Sequence, residues 1–161
     1  MSFEDTATDY IPRAAEIVME RWGQPVLDSL DSPSDYHRQM RMLREPVRHV
    51  IATELLLWQV NNGGFWQYFY NSYGIMIDDA IEGLKAIGQE SYAAIAERAK
   101  LSFGVNFPED RILRVAFVGD DEQNARIDFS SFDDEFYALD PDITGFAYDR
   151  LDAYAEAAKV I

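Results

Sequence analysis

Apolar residues recur at helical spacing along most of the chain. Ile11, Ala14, Ala15, Val18 and Trp22 fall on one stripe of a helix predicted over residues 9–22. Capping residues and glycines mark the ends of the later segments that have the same helical spacing. Together they predict further helices over about residues 34–44, 46–61, 65–72, 75–87, 90–102, 131–138 and 141–160.

The segment 108–118 fits two structures. Its apolar run, residues 112–118, is also typical of a buried strand. Pro108 at a first-turn position, followed by Glu109 and Asp110, favours a helix, because acidic side chains suit a helix N-terminus. We predict a helix here and a loop over residues 119–130. The expected fold is an all-α single-domain bundle of roughly eight helices with little or no sheet.

The composition agrees with one folded domain. The chain has 161 residues, of which 48% are apolar and 14% aromatic, and these can bury a sizeable core. We expect that domain to span residues 1–161, with a flexible N-terminus at residues 1–8 and an irregular segment at residues 105–130. Cysteine is absent and only two histidines occur, so we expect no metal and no cofactor.

The N-terminal residues and the apolar runs of the sequence indicate where in the cell to expect the protein. The first ten residues are acidic and lack the apolar stretch of a secretory signal, and no run is long enough to span a bilayer. We therefore expect a soluble cytoplasmic protein.

Acidic residues outnumber basic ones about two to one. The chain carries 29 Asp and Glu against 14 Lys and Arg, a net charge of −15. Residues 101–161 hold 14 acids and 5 bases, and within residues 120–142 Arg126 is the single base among nine acids. Such a charge disfavours direct binding to nucleic acid or to an anionic membrane and points to a basic partner.

The densest acidic positions form a candidate partner-binding surface. Asp149, Asp152 and Glu156 share one stripe of the last predicted helix, about 10 Å long. Two interpretations remain open, a solvated face that keeps the protein soluble and a carboxylate array that imitates the phosphates of a duplex. The candidate residues are Asp120, Asp121, Glu122, Asp128, Asp133, Asp134, Glu135, Asp140, Asp142, Asp149, Asp152 and Glu156.

A second pattern, over residues 54–74, combines amides, glycines and aromatic rings. Glu54 falls within the apolar stripe of Val47, Val50, Ile51, Leu55 and Trp58 and therefore needs hydrogen-bond donors. Its neighbours could form an amide network around the glycine turn, with Glu54 accepting from it. Three interpretations stay open: a polar staple between two helices, a ligand or catalytic pocket, and a partner contact. The residues of this motif are Glu54, Gln59, Asn62, Gly63, Gly64, Phe65, Gln67, Asn71 and Gly74.

Two stretches of the sequence resemble a known family. One is NGGFWQYFYNSYG at residues 62–74, with Glu54 and Gln59 before it, and the other is the acidic segment DDEFYALD at residues 133–140. They are similar to the DNA-mimic protein family, formerly a domain of unknown function. The resemblance covers most of residues 10–160. It implies an all-helical fold and, in at least one characterised branch, occupation of the DNA-binding face of a transcription factor.

Two further groups of residues stand out in the sequence. Asp140-Pro-Asp142-Ile-Thr144-Gly145 begins like a calcium loop, but Leu151 stands where a bidentate Glu is needed, so a helix cap is favoured. Four arginines, Arg38, Arg41, Arg44 and Arg48, share one helical side. They either pair with acids elsewhere on the surface or support a homodimer through contact with the acidic C-terminal part of a second copy.

These patterns support one main functional hypothesis and two alternatives. The main one is a non-enzymatic acidic protein, without catalytic residues, that binds the basic surface of a DNA-binding protein and so regulates transcription. The first alternative is an immunity-type inhibitor of a nuclease or toxin. The second is a small-ligand binder or enzyme with a pocket around Glu54.

Overall fold

In a computed structural model of the protein, which describes residues 10–159, every regular element is helical. A π-helical turn, Met19–Gly23, joins the first two α-helices without interruption, so the helices form eight separate segments. The predicted all-α fold is confirmed. The α-helices are α1 (Ala14–Val18), α2 (Gln24–Leu27), α3 (Pro33–Met42), α4 (Glu45–Tyr70), α5 (Ile77–Ala86), α6 (Glu90–Leu101), α7 (Arg111–Val118), α8 (Ser130–Ala138) and α9 (Phe146–Ala158).

The ambiguous apolar run of residues 112–118 is helical. Asp110 lies at the N-cap of α7, where its Oδ1 accepts hydrogen bonds from the backbone N–H groups of Ile112 and Leu113 at 2.9 and 3.3 Å. A carboxylate at this position satisfies amides that have no partner within the helix. Segment 105–130 therefore contains α7 and a short 3₁₀ turn, Glu122–Asn124, between its loops.

The two helices predicted over residues 46–61 and 65–72 are both present, and they follow one another as a single helix, α4, that ends at Tyr70. It breaks only at Gly64, where φ is 77° and ψ is −179°. We call the two parts α4a, residues 45–63, and α4b, residues 65–70. The predicted glycine stop is confirmed at Gly64, and the predicted aromatic helix begins directly after it at Phe65.

The last helix begins five residues later than predicted, at Phe146. A turn replaces its expected first residues because Asp140 binds the backbone N–H groups of Thr144 and Gly145, each at 2.9 Å. Gly145 then enters the helix at a φ of 75°. Asp140 thus closes a turn ahead of α9, whose N-cap is Gly145, so the predicted helix cap at Asp140 is wrong.

Helix α4 runs through the centre of the bundle. It packs against α1, α5, α7, α8 and α9, and most of its length is buried. Two predicted core positions are wrong: the side chain of Trp58 is 52% exposed and that of Ile11 is 85% exposed. The predicted core stripe of α9 is correct at Ala147, Leu151 and Ala158, which are buried.

Two further sequence expectations concern location and the N-terminus. Within residues 10–159, none of the helices has the length and hydropathy needed to cross a bilayer. The predicted flexible segment, residues 1–8, lies outside the described residues.

Candidate functional site

The break in α4 is held by a side chain from α8. Asp133 Oδ1 accepts a hydrogen bond of 2.8 Å from the backbone N–H of Phe65, the first residue of α4b. Gly64, directly before Phe65, leaves helical geometry, so the carboxylate of Asp133 caps the N-terminus of α4b from the neighbouring helix. The glycine-aromatic motif and the acidic segment are therefore parts of one structural unit.

Close packing accompanies this hydrogen bond. A Cβ atom placed on Gly64 would lie 2.5 Å from Asp133 Oδ2, so only glycine leaves room for the carboxylate. Partial burial is the main reason that the pKa of Asp133 rises to about 6, although the hydrogen bond from Phe65 opposes that rise. Nearby Asp134, Glu122 and Asp128 raise the pKa of Asp133 further through their negative charge.

The other end of α4b is held by a fully buried arginine. Arg114 of α7 donates hydrogen bonds to the carbonyl oxygens of Phe69, Asn71 and Glu109 at 2.8, 3.0 and 2.8 Å, and a longer one to Pro108. The carbonyls at a helix C-terminus carry partial negative charge, which favours a cation there. Burial nevertheless lowers the pKa of the Arg114 guanidinium to about 10.

The predicted amide network forms only in part. Gln59 Oε1 accepts hydrogen bonds from Gln67 Nε2 and Asn71 Nδ2, both at 3.1 Å. Asn62 is exposed instead of joining these amides. The network therefore ties α4a to α4b through three side chains, as the staple interpretation expects.

Glu54 does not accept from the amide network, contrary to prediction. Its two carboxylate oxygens bind Arg13 of the N-terminal segment at 2.8 and 3.2 Å. The same guanidinium binds Asp152 of α9 at 2.8 and 3.0 Å and lies over the ring of Tyr148. Partial burial lowers the pKa of Arg13, but its hydrogen bonds to the two carboxylates outweigh burial and raise that pKa overall.

Four of the twelve candidate acids are engaged by other parts of the protein. Glu135 pairs with Arg98 at 2.9 Å, Asp152 with Arg13 at 2.8 Å and Glu156 with Lys159 at 2.6 Å. Asp133 is half-buried and caps α4b. Each of these four carboxylates therefore already has a hydrogen-bond or ion-pair partner within the protein.

The other eight acids are open to solvent at least in part and form no ion pair within residues 10–159. Some of them shape the backbone next to them. Asp121 caps the short 3₁₀ turn, and Asp128 binds the N–H and hydroxyl of Ser130, which lowers the pKa of Asp128. The eight are Asp120, Asp121, Glu122, Asp128, Asp134, Asp140, Asp142 and Asp149.

The acids border three depressions, each formed partly by α8, by α9 or by the loops next to them. The first, about 370 Å³, has Glu122, Asp128 and Asp133 on its wall. The second, about 590 Å³, includes Asp134 and Asp140, and the third, about 670 Å³, includes Asp149 and Asp152.

These depressions follow one another across the molecule. The first and second meet at the adjacent residues Asp133 and Asp134, and the second and third share Gly145 and Tyr148. Five of the eight free carboxylates, Glu122, Asp128, Asp134, Asp140 and Asp149, therefore lie along connected depressions.

The basic island does not act as one unit in the monomer. Arg38 pairs with Asp35, and Arg48 donates to the carbonyl oxygen of Leu43 at 2.9 Å. Arg41 and Arg44 are exposed. In the part of the chain that the structure covers, no cluster of three His, Asp or Glu side chains is arranged to hold a metal ion.

A model of one protein family matches residues 41–158 of this chain, which is most of its length and includes α4, α7, α8 and α9. The chain belongs to the DMP19-like protein family. No curated protein and no solved structure matches it. For this DMP19-like protein, both the glycine-aromatic segment and the acidic segment fall within the matched residues.

Three structural relationships around the candidate site could not be found from the sequence pattern. Arg13, Arg114 and the capping role of Asp133 depend on contacts between residues 41 or more positions apart. The signal present in the sequence was chemical: an isolated arginine in the apolar run of α7 and a carboxylate in the apolar stripe of α4 both needed partners. The DMP19-like fold supplies those partners from distant segments.

Proposed function

We propose that this protein presents the free carboxylates around the three depressions to a basic surface of a DNA-binding protein. The protein would thereby occupy a surface that otherwise contacts duplex phosphates. Membership of the DMP19-like protein family and the resemblance to DNA-mimic proteins support this role.

The distribution of charge is the main observation behind the proposal. Five of the eight free carboxylates line the three neighbouring depressions, and no arginine or lysine pairs with them within residues 10–159. They are Glu122, Asp128, Asp134, Asp140 and Asp149. Unpaired like charges repel one another and give up some folding stability. Such a cost is typical of a surface that serves binding, because basic side chains of a partner would relieve the repulsion.

The fixed backbone around these acids supports the same role. Asp121, Asp128 and Asp140 accept hydrogen bonds from the backbone of their own turns, so these carboxylates are held in place. An array of fixed charges binds a rigid cationic surface with less loss of side-chain entropy than a mobile one. The segment can therefore offer an ordered set of charges.

A charge-neutralised variant tests the proposal. The variant Glu122→Gln, Asp134→Asn, Asp149→Asn removes one exposed acid from each depression. We expect the wild-type protein to capture basic DNA-binding proteins from nuclease-treated lysate of its own source cells, in a way that duplex DNA competes with. Capture should weaken steeply with added salt and be lost in the variant.

The matched control removes three exposed acids from elsewhere, Glu20→Gln, Asp28→Asn and Glu45→Gln. It has the same net charge as the test variant and should capture the same partners as the wild type. Partners that are neither basic nor nucleic-acid-binding, or equal loss in both variants, would contradict the proposal.

Two observations bear on the alternative functions. An inhibitor of a nuclease or toxin would use the same acidic surface, so the class of protein captured decides between that role and transcription regulation. Glu54 lines the third depression, but Arg13 binds both oxygens of its carboxylate. This ion pair favours a structural role for Glu54 over a catalytic one.

A further inference from the structure

The second depression is an apolar groove between α4, α8 and α9, with a volume of about 590 Å³. Buried Leu57, Phe136 and Ala147 form its floor, and the rings of Tyr137 and Tyr148 stand on its walls. Tyr137 is fixed by a hydrogen bond of 2.6 Å from its hydroxyl to the carbonyl oxygen of Val60. The groove is therefore a built feature with a rigid apolar lining.

Carboxylates border this groove. Asp134 and Asp140 lie on its lining, and their charge reaches the tyrosine rings. Burial raises the pKa of Tyr92 and Tyr137, and the negative charge of Asp140 on Tyr92 and of Asp133, Glu122 and Asp134 on Tyr137 adds to that rise. An occupant of the groove must therefore combine an apolar part with positive charge beside it.

The rim also carries an exposed and strained apolar residue. Ile143 is 89% exposed and has a φ of 51°, which is unfavourable for a β-branched side chain. The turn is held in that conformation by Asp140, which binds the N–H and hydroxyl of Thr144 and the N–H of Gly145. The structure thus keeps an isoleucine in solvent at the mouth of the groove.

We propose that this groove takes an apolar anchor from a basic helical segment of the partner protein, flanked by lysine or arginine side chains that meet Asp134, Asp140 and Asp142. This inference rests on the proposed function and names the chemistry of the partner. Duplex phosphates offer no apolar cavity, so the groove is a contact that DNA itself cannot make.

The anchor would explain how an acidic protein selects one basic partner. Screened charge attracts many cationic proteins with little discrimination, whereas a buried apolar side chain at the centre of an interface discriminates by shape. The bound partner would cover Ile143. An exposed apolar side chain on a strained backbone is typical of a residue that contacts a partner.

Two synthetic peptides of equal charge test this inference. Each is a lysine- and alanine-rich helix of about 15 residues. One carries two leucines a helical turn apart, and the other has alanine at both positions. At low salt we expect the leucine peptide to bind the wild-type protein about tenfold more tightly, measured by fluorescence anisotropy.

A filled groove should remove that preference. Ala138 lines the groove, is exposed and ends α8, so Ala138→Trp fills the groove without changing charge. The matched control is Ala86→Trp, at the exposed C-terminal residue of α5, away from the depressions. The leucine preference should vanish in Ala138→Trp and persist in Ala86→Trp. If Ala138→Trp does not fold, Ile143→Ser gives the same test and should reduce the preference several-fold.

The outcomes separate this inference from the proposed function. Equal binding of both peptides to the wild type, or a preference that survives Ala138→Trp, overturns the groove inference and leaves the charge-based function standing. If neither peptide binds at low salt, both proposals fail. The variant Glu122→Gln, Asp134→Asn, Asp149→Asn should weaken both peptides by a similar factor and keep their ratio.

Discussion

Asp133 Oδ1 lies 2.8 Å from the backbone nitrogen of Phe65, although the two residues are 68 positions apart. This hydrogen bond joins the acidic segment of α8 to the start of α4b. Arg114 holds the other end of the same short helix through the carbonyl oxygens of Phe69 and Asn71. Helix α4b is thus fixed at both ends by charged side chains from later parts of the chain.

Loss of the Asp133 cap should destabilise the fold. In Asp133→Ala the N–H of Phe65 loses its acceptor, and we expect the free energy of unfolding to fall by about 1–2 kcal/mol. Asp133→Asn keeps an oxygen at the same position and should lose less. Urea denaturation at neutral pH measures both, and equal losses would contradict the capping role.

The same carboxylate should make stability depend on pH. Burial raises the pKa of Asp133 from 3.8 to about 6, so its protonated form is favoured in the folded state. Its contribution is fully present below about pH 4 and is lost as the pH rises through about 6. Water screens this half-buried group, so we expect an effect of about 1 kcal/mol. Urea denaturation between these pH values should show the free energy of unfolding of the wild type falling relative to that of Asp133→Asn as the pH rises. A difference between the two proteins that stays constant with pH would contradict this role of Asp133.

Gly64 should tolerate alanine much less well than Gly88. Both have a φ of 77°, but a Cβ on Gly64 would lie 2.5 Å from Asp133 Oδ2, whereas nothing lies within 4 Å of one on Gly88. We expect Gly88→Ala to cost about 1 kcal/mol and Gly64→Ala to cost about 2–4 kcal/mol. Thermal unfolding of the two variants gives the comparison, and similar losses would show that the approach of Asp133 is unimportant.

Removal of Arg114 should be among the most harmful single changes. Arg114→Met leaves buried carbonyl oxygens at the end of α4b without donors, and we expect a loss of about 3 kcal/mol or more. Arg111 donates once, to the carbonyl oxygen of Tyr70 at 3.0 Å, so Arg111→Met should cost about 1 kcal/mol. Denaturant titration of the pair would refute this role if the two losses were equal.

Arg13 should control how stability responds to salt. In Arg13→Gln the carboxylates of Glu54 and Asp152 lose the cation between them and repel each other. We expect a loss of about 1 kcal/mol at low salt that shrinks at high salt, because salt screens the repulsion. The exposed Arg38, paired with Asp35, provides the control Arg38→Gln, whose effect should be small at any salt concentration. Unfolding at two salt concentrations gives the measurement, and a salt-independent loss at Arg13 would contradict this assignment.

The sequence by itself determined the helical class, most helix positions and the glycine break after Asn62. These features depend on the spacing of apolar residues and on helix capping, and both are set by residues that lie close together in the sequence. It also determined the excess of negative charge over residues 120–142, because composition alone sets that quantity.

Only the tertiary structure decided which charges are free and which are engaged. The pattern grouped Asp133, Asp152 and Glu135 with the exposed acids, but the fold brings Phe65, Arg13 and Arg98 to them. It also assigned Glu54 to the amides near it in the sequence, whereas Arg13 holds it across 41 residues. A charged side chain binds whichever partner packing brings within hydrogen-bond distance, and helical periodicity carries no information about contacts between distant segments.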